Sequence, residues 1–472
     1  MPDSDYHELQ RKRGYALGMK YQTLNPSTEE VVETFEFATS LEVEDALEAS
    51  RRAFHDWRRK SFEQRAALMM NAAELLEQQA GKLAVVMATE MGKPLAEGEA
   101  EAKKCAWVCR YYAEEAEGFL RDDARTSDGS ESWVRYDPLG SILAVMPWNF
   151  PFWQFYRFAA PALMAGNAVI LKHARCTPRC ALEIERLMLE AGFAEGLVRS
   201  LFLHKEQVAS VIGDDRVRGV TLTGSTVAGS QVASTGGRHL KTMVMELGGS
   251  DPFVVADDAD LEEAVRVGVV ARCQNTGQSC IAAKRFIVHR SLFDDFARGF
   301  VEGMEARTVG DPTAPGVDIG PLAGRDARDG LARQVADSVA AGARALCGGT
   351  VPERKGFFYP PTALVDIPER SPAATEELFG PVAVLLPFDD DMEAVCMANA
   401  TEFGLGASVW TRDPARARRF AAEIEAGAVF VNGMVKSDPR LPFGGVKASG
   451  FGRELSREGI LEFVNQKTVW VK

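Results

Sequence analysis

The sequence predicts an α/β fold: a doubly wound parallel sheet covered by helices, a second α/β domain, and a small β arm. Three observations predict it. Short apolar runs such as SILAVMP (141–147), NAVILK (167–172) and VRGVTLTG (217–224) alternate with helical stretches, as buried parallel strands joined by crossover helices do. The second half repeats the theme less regularly in PFVVA, RFIVHR, VAVLLPF, ASVWT and GAVFVN. Two exposed-looking strand segments, ESWVRYDPLG and the terminal NQKTVWVK, could pair with each other or add to a neighbouring subunit's sheet.

The elements follow in order. SLEVEDALEASRRAFHDWRR repeats apolar residues at helical spacing, with Ser40 as its expected N-cap. SFEQRAALMMNAAELLEQQ begins at Ser61 and has Gln64 three residues later, the capping-box spacing. A third helix follows Pro94 through AEGEAEAKKCAWVCRYYAEEAEGF. Strands SILAVMP, NAVILK, VRSLFL (198–203), VRGVTLTG and KTMVMEL (241–247) come next, with helices over about 152–165 and 177–191. By pattern this is a Rossmann-like nucleotide-binding architecture.

A length of 472 residues suggests two or three domains, and 46% apolar with 26% charged residues supplies an ample core. The net charge of −13 argues against nucleic acid or an anionic membrane as the main partner. The opening MPDSDYHELQRKRGYALGMKYQ lacks an apolar signal core. No run approaches the roughly 18 apolar residues of a membrane span. The expected location is cytoplasmic. Eight cysteines suit reduced thiols. Cys105/Cys109 and Cys176/Cys180 have helical spacing but no third ligand nearby, so they read as buried small hydrophobes and no metal is expected.

Cys280, in NTGQSCIAAKRF, follows turn chemistry that can place a sulfur at a cleft; the alternative is a structural cysteine. None of the six histidines sits in a catalytic motif. Glu246 ends the strand KTMVM before LGGSDP. Ligands bind at the C-terminal ends of parallel strands, so it is either a general base or a solvated strand-end acid. In LTGSTVAGS, Gly224 and Gly229 would permit close backbone approach, and the helix N-terminus could hold a phosphate, although the spacing is not GxGxxG. Arg157 is the one charge in PWNFPFWQFYRFAAPALMAGN. It either reaches the surface, pairs with an internal acid, or awaits an anionic substrate. Trp153 is four residues away on the same helix face, and the Asn149 amide could donate to an oxyanion.

Together PWNFP, LTGSTVAG, MELGGSDPFVV, NTGQSC, EELFGPV and LPFGGVKASGFGREL, in this order, resemble the NAD(P)-dependent aldehyde dehydrogenase superfamily over nearly the whole chain. The resemblance implies a nucleotide-binding domain over 1–119 and 139–247, a catalytic domain over 248–440, and oligomerisation or bridging segments over 120–138 and 441–472. It implies that Cys280 is the nucleophile, that Asn149 and the Cys280 backbone N–H form the oxyanion hole, and that Glu246 activates the deacylating water. It further implies cofactor contacts at Lys172, Trp148, Gly224, Ser225, Glu377 and Phe379. The thiolate would attack the aldehyde, hydride would pass to the nicotinamide, and the thioester would be hydrolysed to a free acid.

Within the superfamily, GQSCIAAKRFIV and LKHA look most like succinate-semialdehyde dehydrogenases. Arg157 lies where such enzymes place an arginine for the remote carboxylate, with Ser437 and Arg440 as further anion contacts. The same chemistry on glutarate semialdehyde, or on a sulfonated, hydroxylated or aromatic aldehyde, is the alternative. An inactive scaffold would be expected to have lost Cys280, Glu246 or Asn149; all three are present. Three positions depart from patterns seen in relatives. Arg175 replaces the Glu of many NAD-preferring members, which leans toward NADP over NAD, unless the side chain points into solvent. Ala282 removes a second cysteine used as a redox switch by some relatives. Gln274 stands where some carry an Arg. The family forms dimers and tetramers, so a homodimer or homotetramer is expected.

Overall fold

The computed structural model describes residues 20–472; residues 1–19, read above for a leader, lie outside the described residues. A six-stranded sheet has the order Gly450–Phe451, Thr242–Glu246, Val217–Thr223, Ser141–Val145, Ala168–Lys172, Val198–Ser200. Its neighbours are parallel except the first pair. The chain enters at Ser141–Val145, adds two strands on one side, then crosses to the other. The strand order therefore reverses between Ser141–Val145 and Val217–Thr223, where an open sheet offers a ligand crevice.

Helix Trp153–Ala165 is buried along its whole length, as a run apolar on every face must be. It packs with Phe62–Gln78 and Leu95–Phe119 in one large core that includes Cys105, Cys109 and Cys180. The capping box at Ser61 forms as its spacing predicts. The first helix starts one residue earlier than expected. Thr39, not Ser40, is its N-cap, and Glu42 returns a 2.7 Å acceptor to the Thr39 backbone N–H. The helix Ala80–Met91 was not separable by pattern, because most of its residues are buried and its amphipathic signal is weak. Of VRSLFL, only Val198–Ser200 joins the sheet.

The second sheet has seven strands: Arg344–Cys347, Thr362–Val365, Val382–Phe388, Arg285–His289, Pro252–Val255, Gly406–Trp410, Ala428–Val431. All neighbours are parallel but the first pair. The two exposed-looking segments pair with each other. Val464–Val471 runs antiparallel to Glu131–Pro138, from Val464 opposite Pro138 to Val471 opposite Glu131. Between the large sheets, Gly450 lies opposite Glu246, so the C-terminal segment also completes the first sheet. Among the described residues no helix is long and apolar enough to cross a membrane.

Candidate active site

The stretch NTGQSC is a tightly wound loop. Asn275, Thr276 and Gly277 all have left-handed backbone, with φ of 56°, 55° and 71°. A β-branched Thr in that region is strained, and such strain survives only where neighbours hold it. They do so here. Arg272 Nη2 donates to the Gly277 carbonyl at 2.6 Å, the Gly320 N–H donates to Thr276 Oγ1 at 3.1 Å, and Asn275 N–H donates to Glu97 at 2.8 Å. A Cβ on Gly277 would fall 2.3 Å from the Gly380 carbonyl, so only glycine fits. The loop delivers Cys280, half-buried, to a cavity of about 300 Å³.

Asn149 is fixed beside this loop. Its Nδ2 donates to the Gln278 carbonyl at 3.1 Å, and its own carbonyl accepts from Asn275 at 2.8 Å. An amide nitrogen carries two N–H bonds, so the anchoring bond leaves one for an oxyanion. Lys284, buried beneath the loop, donates to the carbonyls of Ser279 and Cys280 at 3.0 and 2.9 Å and lies 3.4 Å from Glu377. The sequence reading missed it: KRF looked like the start of an ordinary strand.

Burial pushes the Cys280 thiol up to about 12; Arg157 and then Lys284 oppose that rise. The resting sulfur is therefore a thiol. Alkylation of Cys280 by iodoacetamide in the cofactor-free protein is expected to accelerate about tenfold per pH unit from pH 7 to 9. The readout is mass spectrometry of the Cys280 peptide, with exposed Cys396 as reference. A plateau below pH 8.5 would show a preformed thiolate and contradict the expectation.

Glu246 ends its strand as expected, but it is not solvated. It is 2% exposed, and neither carboxyl oxygen has a hydrogen-bond partner among the described residues. Burial pushes its carboxyl well above the usual range, Arg157 opposes this, and the charge of Glu454 adds to it. Glu246 does not line the Cys280 cavity. In this conformation the carboxyl is therefore protonated and set back from the sulfur.

Arg157 takes the second of its three sequence options. Its Nε contacts the Glu454 carboxylate, and both side chains are almost fully buried. Its guanidinium lies 4.5 Å above the Phe443 ring. The backbones of Phe443 and Glu454 exchange two 2.7 Å hydrogen bonds, so the segment LPFGGVKASGFGREL folds back to seat the arginine. The protein thus already matches the Arg157 charge, and the residue also lines the Cys280 cavity.

Trp153, Ser437 and Gln274 do line the cavity with Cys280. Arg440 does not, which corrects its expected role: its side chain is exposed and held by Asp438 through bonds of 2.9 and 2.7 Å. The wall also carries Lys104, unnoticed in the sequence because a lysine in KKCAWVC reads as a solvated helix face. No histidine lines the cavity, and His173 is buried with its ring bonded to Pro151 and Thr177.

A second cleft, of about 820 Å³, opens at the strand-order reversal. Lys172, Arg175, His204, Lys205 and Arg238 line it, together with Leu222 and Ala228. Burial and the nearby Arg175 push the Lys172 ammonium down to about 8, the mark of a cation short of anions. Ser225 caps helix Thr226–Arg238 by accepting from the Ala228 N–H at 3.3 Å. A Cβ on Gly224 would meet nothing closer than 3.5 Å, so that backbone is open to a ligand. Gly229 is different: a Cβ there would sit 2.4 Å from Leu247. Its glycine serves helix-to-strand packing, not phosphate approach, contrary to expectation. Glu377 accepts from the Gly249 N–H at 3.1 Å, and Phe379 meets Trp148 edge-on at 5.6 Å. A polyanionic dinucleotide fits this basic, strand-end cleft.

The chain belongs to the aldehyde dehydrogenase family, whose model matches residues 16–469, and it is an oxidoreductase acting on an aldehyde. It is 52% identical to succinate-semialdehyde dehydrogenase [NADP(+)] 1 of Mycobacterium tuberculosis over 96% of this chain and 100% of that protein. It is 51% identical to succinate-semialdehyde dehydrogenase [NADP(+)] of Mycobacterium avium over 96% of this chain and 97% of that one. The crystal structure of succinic semialdehyde dehydrogenase from Streptococcus pyogenes in complex with NADP+ superposes with a TM-score of 0.94 at 37% identity, covering 96% and 99% of the two chains.

Proposed function

We propose that the protein oxidises succinate semialdehyde to succinate with NADP+. The observation that carries the reading is the Cys280 cavity: small, largely apolar in its walls, and lined by a thiol and by the ammonium group of Lys104. It suits a short aldehyde with a remote anion. The names of the relatives above support the same substrate and cofactor.

In the proposed reaction Cys280 Sγ gives its proton to solvent water and bonds the aldehyde carbon. Asn149 Nδ2 and the Cys280 backbone N–H donate to the oxyanion. NADP+ held in the second cleft would supply the hydride acceptor for that carbon. Lys172, Arg175 and the amides after Gly224 would hold the phosphates, and Glu377, Trp148 and Phe379 would seat the nicotinamide end. Glu246, rotated toward the thioester, takes a proton from water as that water attacks. The C–S bond breaks, succinate leaves, and the sulfur is regenerated.

The test is kcat/KM for succinate semialdehyde, glutarate semialdehyde, benzaldehyde and butanal with each cofactor. Succinate semialdehyde with NADP+ is expected to lead by about tenfold or more. Arg175→Glu is expected to shift the NADP+/NAD+ ratio about tenfold or more toward NAD+, since it replaces attraction of a 2′-phosphate by repulsion. Equal constants across the panel, or an unmoved ratio, would refute the substrate or the cofactor assignment respectively. The same reading makes the protein a cytoplasmic homodimer or homotetramer with separate cofactor, catalytic and bridging domains; light scattering measures the subunit number.

A further inference from the structure

Three cations face the Cys280 cavity: Lys104, Arg157 and Lys436. They differ in how their charge is matched. Arg157 is neutralised in place by Glu454. Lys436 is an exposed residue of the loop that supplies Ser437. Lys104, on helix Leu95–Phe119, is the partly buried one, and no carboxylate forms an ion pair with it among the described residues. The acids near it are committed elsewhere. Glu101 contacts Lys93 and accepts the backbone N–H bonds of Phe152 and Trp153 at 2.9 Å each. Asp438 is clasped by Arg440. The Lys104 ammonium is nonetheless held in place: it donates to Ser437 Oγ at 2.8 Å and lies 4.2 Å above the Trp153 ring. An ammonium has three donors, so this seating leaves two for a ligand.

We propose that Lys104, not Arg157, receives the remote carboxylate of the substrate and sets the preference for aldehydes bearing a distal anion. The proposal rests on the substrate reading given above and names the residue that enforces it. A positioned, partly desolvated ammonium without an internal counter-ion gains most from an incoming carboxylate, whereas an arginine already paired gains little. Trp153 then has a function beyond packing: its ring face steadies the ammonium while offering no competing acceptor.

The charge is poised to titrate. Burial pushes the Lys104 ammonium down to about 8, helped by Arg157 and opposed by Glu101 and Asp438. The groups facing it are Glu101 and Cys105 on its own helix, Arg157 beside Trp153, Lys436 and Asp438 on the loop, and Glu97 and Cys280 across the cavity. Glu97 is pushed up to about 7 and Cys280 to about 12. Both groups are kept in Lys104→Met, so the difference between the wild-type and variant profiles reports the Lys104 charge alone.

The experiment measures that ratio, kcat/KM for succinate semialdehyde over butanal, in the wild type, Lys104→Met and Lys104→Arg, from pH 6.5 to 9.5. The ratio is expected to fall about 30-fold in Lys104→Met through KM, the loss of one charge-assisted contact. It is expected to stay within about threefold in Lys104→Arg. In the wild type it should decline through a midpoint near pH 8, and that step should be missing in Lys104→Met. A Lys104→Met ratio within about threefold of the wild type, or a wild-type ratio independent of pH, overturns the assignment while leaving the substrate reading intact. A wild-type ratio near one overturns both.

Discussion

Glu246→Gln is expected to release one burst of reduced cofactor per subunit and then turn over about 10³-fold more slowly than the wild type. Attack by Cys280 and hydride transfer do not use this carboxyl, so the first half of the reaction survives. Hydrolysis of the thioester does use it, and loss of a positioned general base costs roughly 10²–10⁴-fold. Glu246 has no hydrogen bond to lose and keeps its size and neutrality as Gln, so the fold is expected to be unchanged. The pH profile provides a second readout. A carboxyl held well above its usual range by burial and by Glu454 must give up its proton before it can work, so the wild-type kcat should rise with pH through a carboxyl-type ionisation that Glu246→Gln lacks. Rapid-mixing absorbance of the reduced cofactor measures the burst, and hydroxylamine traps the acyl group on Cys280. A variant with no burst would place Glu246 ahead of the thioester and refute the assigned role.

Arg157→Met is expected to destabilise the protein by about 3–5 kcal/mol, because it strips from buried Glu454 the only cation in contact with it among the described residues. Glu454 would be left buried and unpaired, with Glu246 and Glu462 near it. Activity should fall equally on succinate semialdehyde and butanal. The double variant Arg157→Met with Glu454→Met should recover most of the stability, since replacing both partners by apolar groups of similar volume removes the unpaired charge. Urea unfolding followed by tryptophan fluorescence measures the first effect, and the two-substrate panel the second. If Arg157→Met stays within about 1 kcal/mol of the wild type and loses succinate semialdehyde selectively, the arginine is a substrate anchor after all. Together with the Lys104 variants, this separates the two buried or partly buried cations of the cavity, Arg157 and Lys104.

Much of the fold was legible because it is carried by local pattern. The buried strands Ser141–Val145, Ala168–Lys172, Val217–Thr223 and Thr242–Glu246 are short apolar runs, and their helices are marked by caps and periodicity. Misreadings came where that signal fades. The mostly buried Ala80–Met91 lacks a clear polar face, and the edge strand Arg344–Cys347 has three of its four residues at least partly exposed. The site was legible in part for a different reason. Cys280 follows turn residues and Asn149 precedes a helix, both at places where side chains can reach a cleft, and Glu246 ends a strand. The glycine at 229 misled because a glycine required for packing and one required for ligand approach look identical in sequence.

By itself, the sequence determined the alternation of strands and helices, the strand-end placement of Glu246 and the turn before Cys280, because each follows from residues adjacent in the chain. Only the tertiary structure decided which charges are matched. Arg157 and Glu454 meet from strands of sequence 297 residues apart (454 − 157 = 297), and Lys104 meets Ser437 across 333. Charge pairing acts through space and leaves no periodic trace along the chain. An arginine that looked unpaired in an apolar helix is therefore paired, and a lysine that looked like solvated surface is the cation left without an internal counter-ion.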